Sequence, residues 1–326
     1  MKALLCTEYG PLESLRIAEI PSPTPSPDEV LIDVRACGIS FPDLLILQNK
    51  YQFKPNLPFS PGGEICGVVE SVGENVSHFK KGDQVIALSK WGGLAENAVV
   101  NSKQVFQLPA HVDFIMGAST LYAYGTSYHA LKDRAQIQKG ETLLVLGASG
   151  GVGLAAVELG KLMSAKVIAA ASSDEKLKVC KEKGADHLIN YSTEDLRSGI
   201  KTITNKKGID VVYDAVGGKF SEPALRSMAW GGRYLVVGFA SGEIPTFAAN
   251  IPLLKGCSIV GVFLSGFIEH KMEISQQNFR QLTTWMSDGT IKQHIHRVYS
   301  FDESVQALLD LKDRKIAGKA VIALKK

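Results

Sequence analysis

The chain is poor in cysteine: five in 326 residues, at positions 6, 37, 66, 180 and 257, with no paired spacing. That scatter excludes a disulfide framework and leads us to expect a reducing compartment, the cytoplasm. Long hydrophobic runs are missing too. The longest candidate, around Leu143–Leu159, is interrupted by glycines and by Glu158, so no membrane-spanning helix is expected. The opening Met1–Glu8 carries an apolar stretch far too short for a secretory signal. Nor is there an excess of one charge. The formal net charge is +3, and short clusters such as Lys80-Lys81 and Lys206-Lys207 read as solvated turns. With no basic stripe and no aromatic platform, neither nucleic acid nor an anionic membrane is an expected partner. No internal repeat or low-complexity tract occurs.

What is present divides into two kinds of pattern. A chain of this length can bury two cores. The first third reads as β-rich: Val30–Arg35 alternates, and Gly67–Val72 and Gln84–Leu88 follow between turn signals at Gly73-Glu74-Asn75 and Lys81-Gly82-Asp83. Pro21–Pro27 is an extended connector after a first hairpin. A helix rich in small residues is expected over Gly117–Ala130. Strand and helix then alternate. The strand-like runs are Thr142–Leu146, Val167–Ala171, His187–Asn190, Asp210–Tyr213, Arg233–Val237 and Ser258–Val262. Beyond them come a helix near Ile274–Ser287, a strand Ile295–Tyr299, a helix capped by Ser300 and Glu303, and a last strand Lys319–Leu324. These last pieces are expected to rejoin the first part of the chain.

The most informative segment is Gly147-Ala-Ser-Gly-Gly-Val-Gly153, between the strand Thr142–Leu146 and an apolar helix-like run. A glycine turn in that setting binds a dinucleotide pyrophosphate: the missing Cβ atoms allow close approach, and the helix N-terminus supplies oriented N–H donors. Ala148, Gly150 and Gly153 sit at the three fingerprint spacings, with alanine in place of the first glycine. An NAD site usually places an acid at the end of the next strand, on the ribose 2′-hydroxyl. Here that place reads Ala171-Ser172-Ser173. No carboxylate repels a 2′-phosphate, Ser172 and Ser173 offer hydroxyls, and Lys176 offers a charge, so NADPH is expected over NADH. Ser172 and Glu175 also fit a capping box opening a helix over Asp174–Lys183.

Ala36-Cys-Gly-Ile-Ser-Phe-Pro-Asp43, Pro61-Gly-Gly-Glu64, Phe79-Lys-Lys-Gly-Asp83, Gly147–Gly153 and Val236-Val-Gly-Phe239 occur in an order that resembles the medium-chain dehydrogenase/reductase superfamily. The nearest likeness is to its zinc-free quinone oxidoreductase branch, the zeta-crystallin-like reductases, and it covers nearly the whole chain. The resemblance implies an α/β fold: a doubly wound Rossmann domain with a six-stranded parallel sheet over 119–261, and a β-rich GroES-like catalytic domain from 1–118 and 262–326. Zinc-dependent members carry a cysteine and a histidine where this chain has Ser40 and Gly63, and a lobe of four cysteines absent here. Only Glu64 remains, and Cys37 and Cys66 read as small packed residues, so no metal is expected. Without a Lewis acid, the expected reaction is hydride transfer from NADPH to a quinone. Ser40 and Tyr51 are the candidate donors to the acceptor oxygen, and Asp43 is an orienting group or a helix cap. By family match, Thr126 meets the nicotinamide phosphate side. Ser149, Gly150, Gly151 and Val152 cradle the pyrophosphate, and Ser172, Lys176 and Tyr191 surround the 2′-phosphate. Gly238 and Phe239 lie at a strand's carboxyl end, and Phe263, Leu264 and Ser265 close over the nicotinamide. Two rivals stand: an enoyl-thioester or α,β-unsaturated ketone reductase, with Tyr51 or Tyr128 as acid, and an NADPH-binding structural or regulatory protein with little turnover. The edge strand Ser258–Val262 leads us to expect a homodimer.

Overall fold

A computed structural model describes residues 1–325. The strands are β1 (Lys2–Leu5), β2 (Arg16–Glu19), β3 (Glu29–Ile39), β4 (Glu64–Val72), β5 (Gln84–Leu88), β6 (Asn97–Asn101), β7 (Val105–Gln107), β8 (Thr142–Leu146), β9 (Lys166–Ala171), β10 (His187–Asn190), β11 (Ile209–Asp214), β12 (Met228–Val236), β13 (Ser258–Gly261), β14 (Ile295–Ser300) and β15 (Lys319–Ala323). The α-helices are α1 (Phe41–Leu47), α2 (Phe114–Tyr128), α3 (Gly151–Leu162), α4 (Asp174–Glu182), α5 (Leu196–Ile203), α6 (Ser221–Arg226), α7 (Asn250–Lys255), α8 (Leu264–His270), α9 (Met272–Ser287) and α10 (Ser304–Lys312).

The chain separates into two compact units, 1–122 with 279–326, and 123–278. The divide falls inside α2 and inside α9, so α8 belongs with the second unit. In the first unit, a mixed sheet runs β14-β15-β3-β4-β5-β7, with β6 also on β3. β3 is long because alternate β-branched residues, Val30, Ile32 and Val34, are fully buried in the core against Ile65, Val85 and Leu94. β15 returns from the far end of the chain and pairs antiparallel with β3, Ala320 opposite Ile39.

The second unit holds six parallel strands in the order β10-β9-β8-β11-β12-β13. This is the dinucleotide-binding order, whose reversal between β8 and β11 opens a crevice at the strands' carboxyl ends. Leu144, Leu146, Ile168, Ile189, Val212 and Tyr234 fill its core. All six expected strands form. α2 starts three residues earlier than its small-residue pattern suggested, because Asp113 accepts a hydrogen bond from Met116 N at 2.7 Å and caps it. It ends at Tyr128 and passes into a π-helical turn, His129–Arg134. Among the described residues, no helix is long and apolar enough to cross a membrane.

Candidate active site

The glycine turn joins β8 to α3, and its backbone explains which glycines are obligatory. Gly147 has φ +68°, a left-handed conformation that favours glycine. A Cβ on Gly153 would lie 2.2 Å from Gly147 O, so helix and strand could not approach. Gly150, the N-cap residue of α3, has φ −75° and ψ 169°, and a Cβ there would meet nothing nearer than 3.5 Å. Its bareness therefore serves nothing inside the chain and leaves room above the N-terminus of α3. Alanine is accommodated at 148. The positive φ is taken one residue earlier, and Ala148 N donates to Ala170 O at 3.0 Å. Ser149 is buried, whereas Gly150, Gly151 and Val152 are partly accessible. Thr126 is buried in α2. Its neighbour Ser127 donates to Val152 O at 2.8 Å, tying that helix to the first turn of α3.

At the end of β9 the structure corrects one expectation. Ser173, not Ser172, is the N-cap of α4: it has φ −157°, and its side chain accepts from Lys176 N. Ser172 is exposed, with Lys176 Nζ 3.5 Å from its Oγ. Tyr191 follows β10, its N–H on Ala171 O at 3.1 Å and its ring on Phe220. Ser172, Lys176 and Tyr191 thus gather where β9 and β10 end. The next acid in the sequence, Asp174, accepts from Asn190 Nδ2 at 2.8 Å.

Asp214, at the end of β11, was not singled out by the sequence. Its carboxylate accepts from Val216 N, Gly217 N, Ser221 Oγ and Tyr234 Oη at 2.5 to 2.9 Å. That fixes the loop against which the segment after β12 lies. Gly238 N reaches Asp214 O, and Ser241 N donates to Val216 O at 2.8 Å. A Cβ on Gly217 would lie 3.1 Å from the Phe239 ring. Phe263 is 43% exposed and N-caps α8. Leu264 and Ser265 form the first turn of α8, with Leu264 buried.

A second cluster lies in the first unit. Ser40 follows β3 and is the N-cap of α1, with Pro42 in the first turn and Asp43 completing a capping box. Asp43 accepts from Ser40 N at 2.7 Å and from Gly62 N at 3.1 Å, so it both caps the helix and ties down the Pro61-Gly62-Gly63 step. Burial pushes its carboxyl up to about 6, against the opposing pull of the Ser40 N–H and the Lys319 charge. Glu64 is 1% exposed and Lys319 3%, and Lys319 Nζ lies 3.0 Å from Glu64 Oε2. The same ammonium donates to Ile39 O at 3.0 Å and to Ser40 Oγ at 2.6 Å. Glu64 Oε1 accepts from Tyr122 N at 2.7 Å. Burial raises the Glu64 carboxyl, and Lys319 counters it. The Tyr122 hydroxyl is hydrogen-bonded to that of Tyr51, and Asp43 raises both phenols in addition to their burial. Tyr51 also packs edge-on to Phe53, centroids 5.9 Å apart. Sequence reasoning named Ser40, Asp43, Glu64 and Tyr51 but missed Lys319 and Tyr122. One signal existed: a buried acid needs a cation, and Lys319 opens a strand that is otherwise apolar.

Comparison with known proteins gives a consistent result. Residues 26–110 match the family model described as "Alcohol dehydrogenase GroES-like domain", and residues 151–288 the one described as "Zinc-binding dehydrogenase". Quinone oxidoreductase-like protein 2 of Rattus norvegicus is 37% identical, over 99% of this chain and 92% of its own. Quinone oxidoreductase of Homo sapiens is 36% identical, over 94% and 92%. The structure of Escherichia coli quinone oxidoreductase complexed with NADPH superposes with a TM-score of 0.93 at 28% identity, covering 99% of this chain and 100% of that one.

The second family description names zinc, and the residues here do not fit it. Ser40 and Gly63 offer no ligand of the required kind. Cys37 pairs opposite Ile65 and lies in the core, whereas Cys66, opposite Ala36, faces Gly117 on the other side of the sheet. The two thiols cannot converge with Glu64, which already holds Lys319. Burial also pushes both thiols well up, disfavouring the thiolate a metal needs. Among the described residues, no group of three His, Cys, Asp or Glu side chains could hold a metal ion. A dinucleotide does fit: Gly150 leaves its cradle bare, and the following helix presents its first N–H groups there.

Proposed function

Because the chain belongs to the quinone oxidoreductase-like branch of the medium-chain dehydrogenase/reductase superfamily, we propose that it is an NADPH-dependent, zinc-independent reductase that transfers hydride to a quinone. The coarser statement, an NAD(P)H-dependent oxidoreductase of the medium-chain type, rests on the relatives and on NADPH-bound neighbours. One observation carries the finer reading. Where a metal-dependent relative needs ligands, this chain has hydrogen-bond donors, Ser40 and the Tyr51–Tyr122 pair. Such a site suits an acceptor that is already electron-poor and needs only its oxygen held.

Bound NADPH would supply the hydride from its nicotinamide. The chain's own work is binding and orientation. Gly150, Gly151, Val152 and Ser149 hold the pyrophosphate; Ser172, Lys176 and Tyr191 hold the 2′-phosphate. Thr126, Gly238, Phe239, Phe263, Leu264 and Ser265 complete the cofactor contacts. Ser40 and Tyr51 donate to the acceptor oxygen as charge develops there. We further propose a cytoplasmic homodimer, in keeping with five free cysteines and the edge position of β13.

Steady-state oxidation of NADPH and NADH, each with a quinone, an enone and a crotonyl thioester, tests this. We expect the quinone to give the highest kcat/KM and NADPH to exceed NADH by about tenfold or more, the scale of one charge-assisted phosphate contact. A preference for NADH would overturn the cofactor assignment. A faster thioester or enone would move the acceptor class to that compound. NADPH binding with no acceptor turned over would favour a structural or regulatory role.

A further inference from the structure

Lys319 has no place in the reading above, yet among the described residues it is the most deeply buried cation of the first unit. Its ammonium is surrounded by oxygen: Ile39 O at 3.0 Å, Ser40 Oγ at 2.6 Å and Glu64 Oε2 at 3.0 Å. An ammonium has only donors to offer. Ser40 Oγ must therefore accept from it, and the hydroxyl proton of Ser40 must point elsewhere. The Asp43 oxygens accept from Ser40 N and Gly62 N, and among the described residues no hydrogen bond runs from the Ser40 hydroxyl to them. The Ser40 hydroxyl is left as a donor directed away from Lys319. A hydroxyl that accepts a charge-assisted bond is a stronger donor in turn.

We infer that Lys319 is a positioning residue that acts through Ser40, fixing its hydroxyl as a one-way, polarised donor to the acceptor oxygen. The inference deepens the proposed hydride transfer and rests on it for the identity of that oxygen. Lys319 touches neither acceptor nor cofactor in this scheme, and no proton leaves it. Glu64 is its counter-charge. It makes the buried ammonium tolerable and, through Tyr122 N, ties it to the segment bearing the second phenol. The arrangement places a fixed cation behind the donor, its charge relayed by the Ser40 hydroxyl.

A double-mutant cycle separates this from a purely structural role. Removing Lys319 alone strands Glu64 in the core and endangers folding, so the two charges are removed together in E64Q/K319M. The cycle compares wild type, S40A, E64Q/K319M and S40A/E64Q/K319M, with K319R as the conservative variant. All carry NADP+, and each is titrated with 4-nitrophenol, whose visible absorbance reports how far the bound phenol ionises. We expect wild type to shift it toward the phenolate. E64Q/K319M should weaken that shift by about tenfold in ionisation constant, K319R should restore most of it, and in the S40A background removing the ion pair should change nothing further. The kcat for the acceptor should follow the same pattern, with the KM for NADPH unchanged. An equal loss with and without Ser40 would overturn the inference, and so would a wild type that binds the phenol without shifting it. If none of the quinone, enone and thioester acceptors supports NADPH oxidation by wild type, the proposed reaction fails, while the dye titration still decides the role of Lys319.

Discussion

Asp43 is held by two backbone N–H groups, yet it sits where burial opposes its charge. Its carboxyl titrates near 6 in the folded protein against an ordinary 3.8, so folding favours the protonated form between those values. The group's contribution to stability is therefore greatest below about pH 4 and is lost as pH rises through about 6. Urea denaturation of wild type and D43N should show the difference in unfolding free energy moving in favour of D43N over that window, by on the order of 2 kcal/mol. A flat difference, or one moving the other way, would count against the buried placement. At low pH D43N should be the weaker protein, because an amide nitrogen cannot accept one of the two backbone N–H bonds. Single letters disclosed part of this site. Ser40 and Tyr51 were legible because they stand at motif positions. Lys319 was not, because its partner Ser40 lies 279 residues away, and no local pattern encodes a contact of that span.

The turn from β8 to α3 shows what an element reveals and what it hides. The spacing of its glycines was plain in the sequence, but their separate duties needed backbone angles. G153A would place a methyl 2.2 Å from a carbonyl oxygen and should cost about 1–3 kcal/mol of stability, the order seen for overpacked sites. G150A meets only ordinary contact at 3.5 Å. It should melt within a few degrees of wild type and yet lose NADPH binding by about tenfold or more. Thermal melting and fluorescence titration with NADPH distinguish the two. G153A melting like wild type, or G150A binding NADPH normally, would refute this division of labour. The cap of α4 teaches the same lesson. Ser172-Ser173-Asp174-Glu175 admits either serine as N-cap, and only the extended backbone at Ser173 chooses. The choice leaves Ser172 unused by the helix and available to Lys176.

Across the whole molecule, strand existence was the most legible feature, because each strand of the parallel sheet is a short apolar run that periodicity detects. What stays hidden is how distant segments combine. Lys and Arg look scattered along the chain, yet Arg197, Lys201, Lys206, Lys207, Arg226 and Lys255 line one hollow of about 420 Å³. β13 closes the parallel sheet with a neighbour on one side only, and Ile259 on it is 41% exposed. If a second copy covers this edge, light scattering at micromolar protein should give twice the chain mass of 35.2 kDa. Ile259→Lys should return it to one chain mass, since charge on an edge strand blocks pairing. A wild-type protein with the mass of one chain would end the dimer proposal.

The cysteines, first read for what they exclude, carry one last consequence. Quinones are electrophiles as well as oxidants, and they arylate thiolates. Cys6, Cys37, Cys66 and Cys180 are buried and only Cys257 is partly accessible, and burial raises all five thiols. A protein built this way exposes almost no thiol to such a compound and would resist arylation at cysteine by its own proposed substrate.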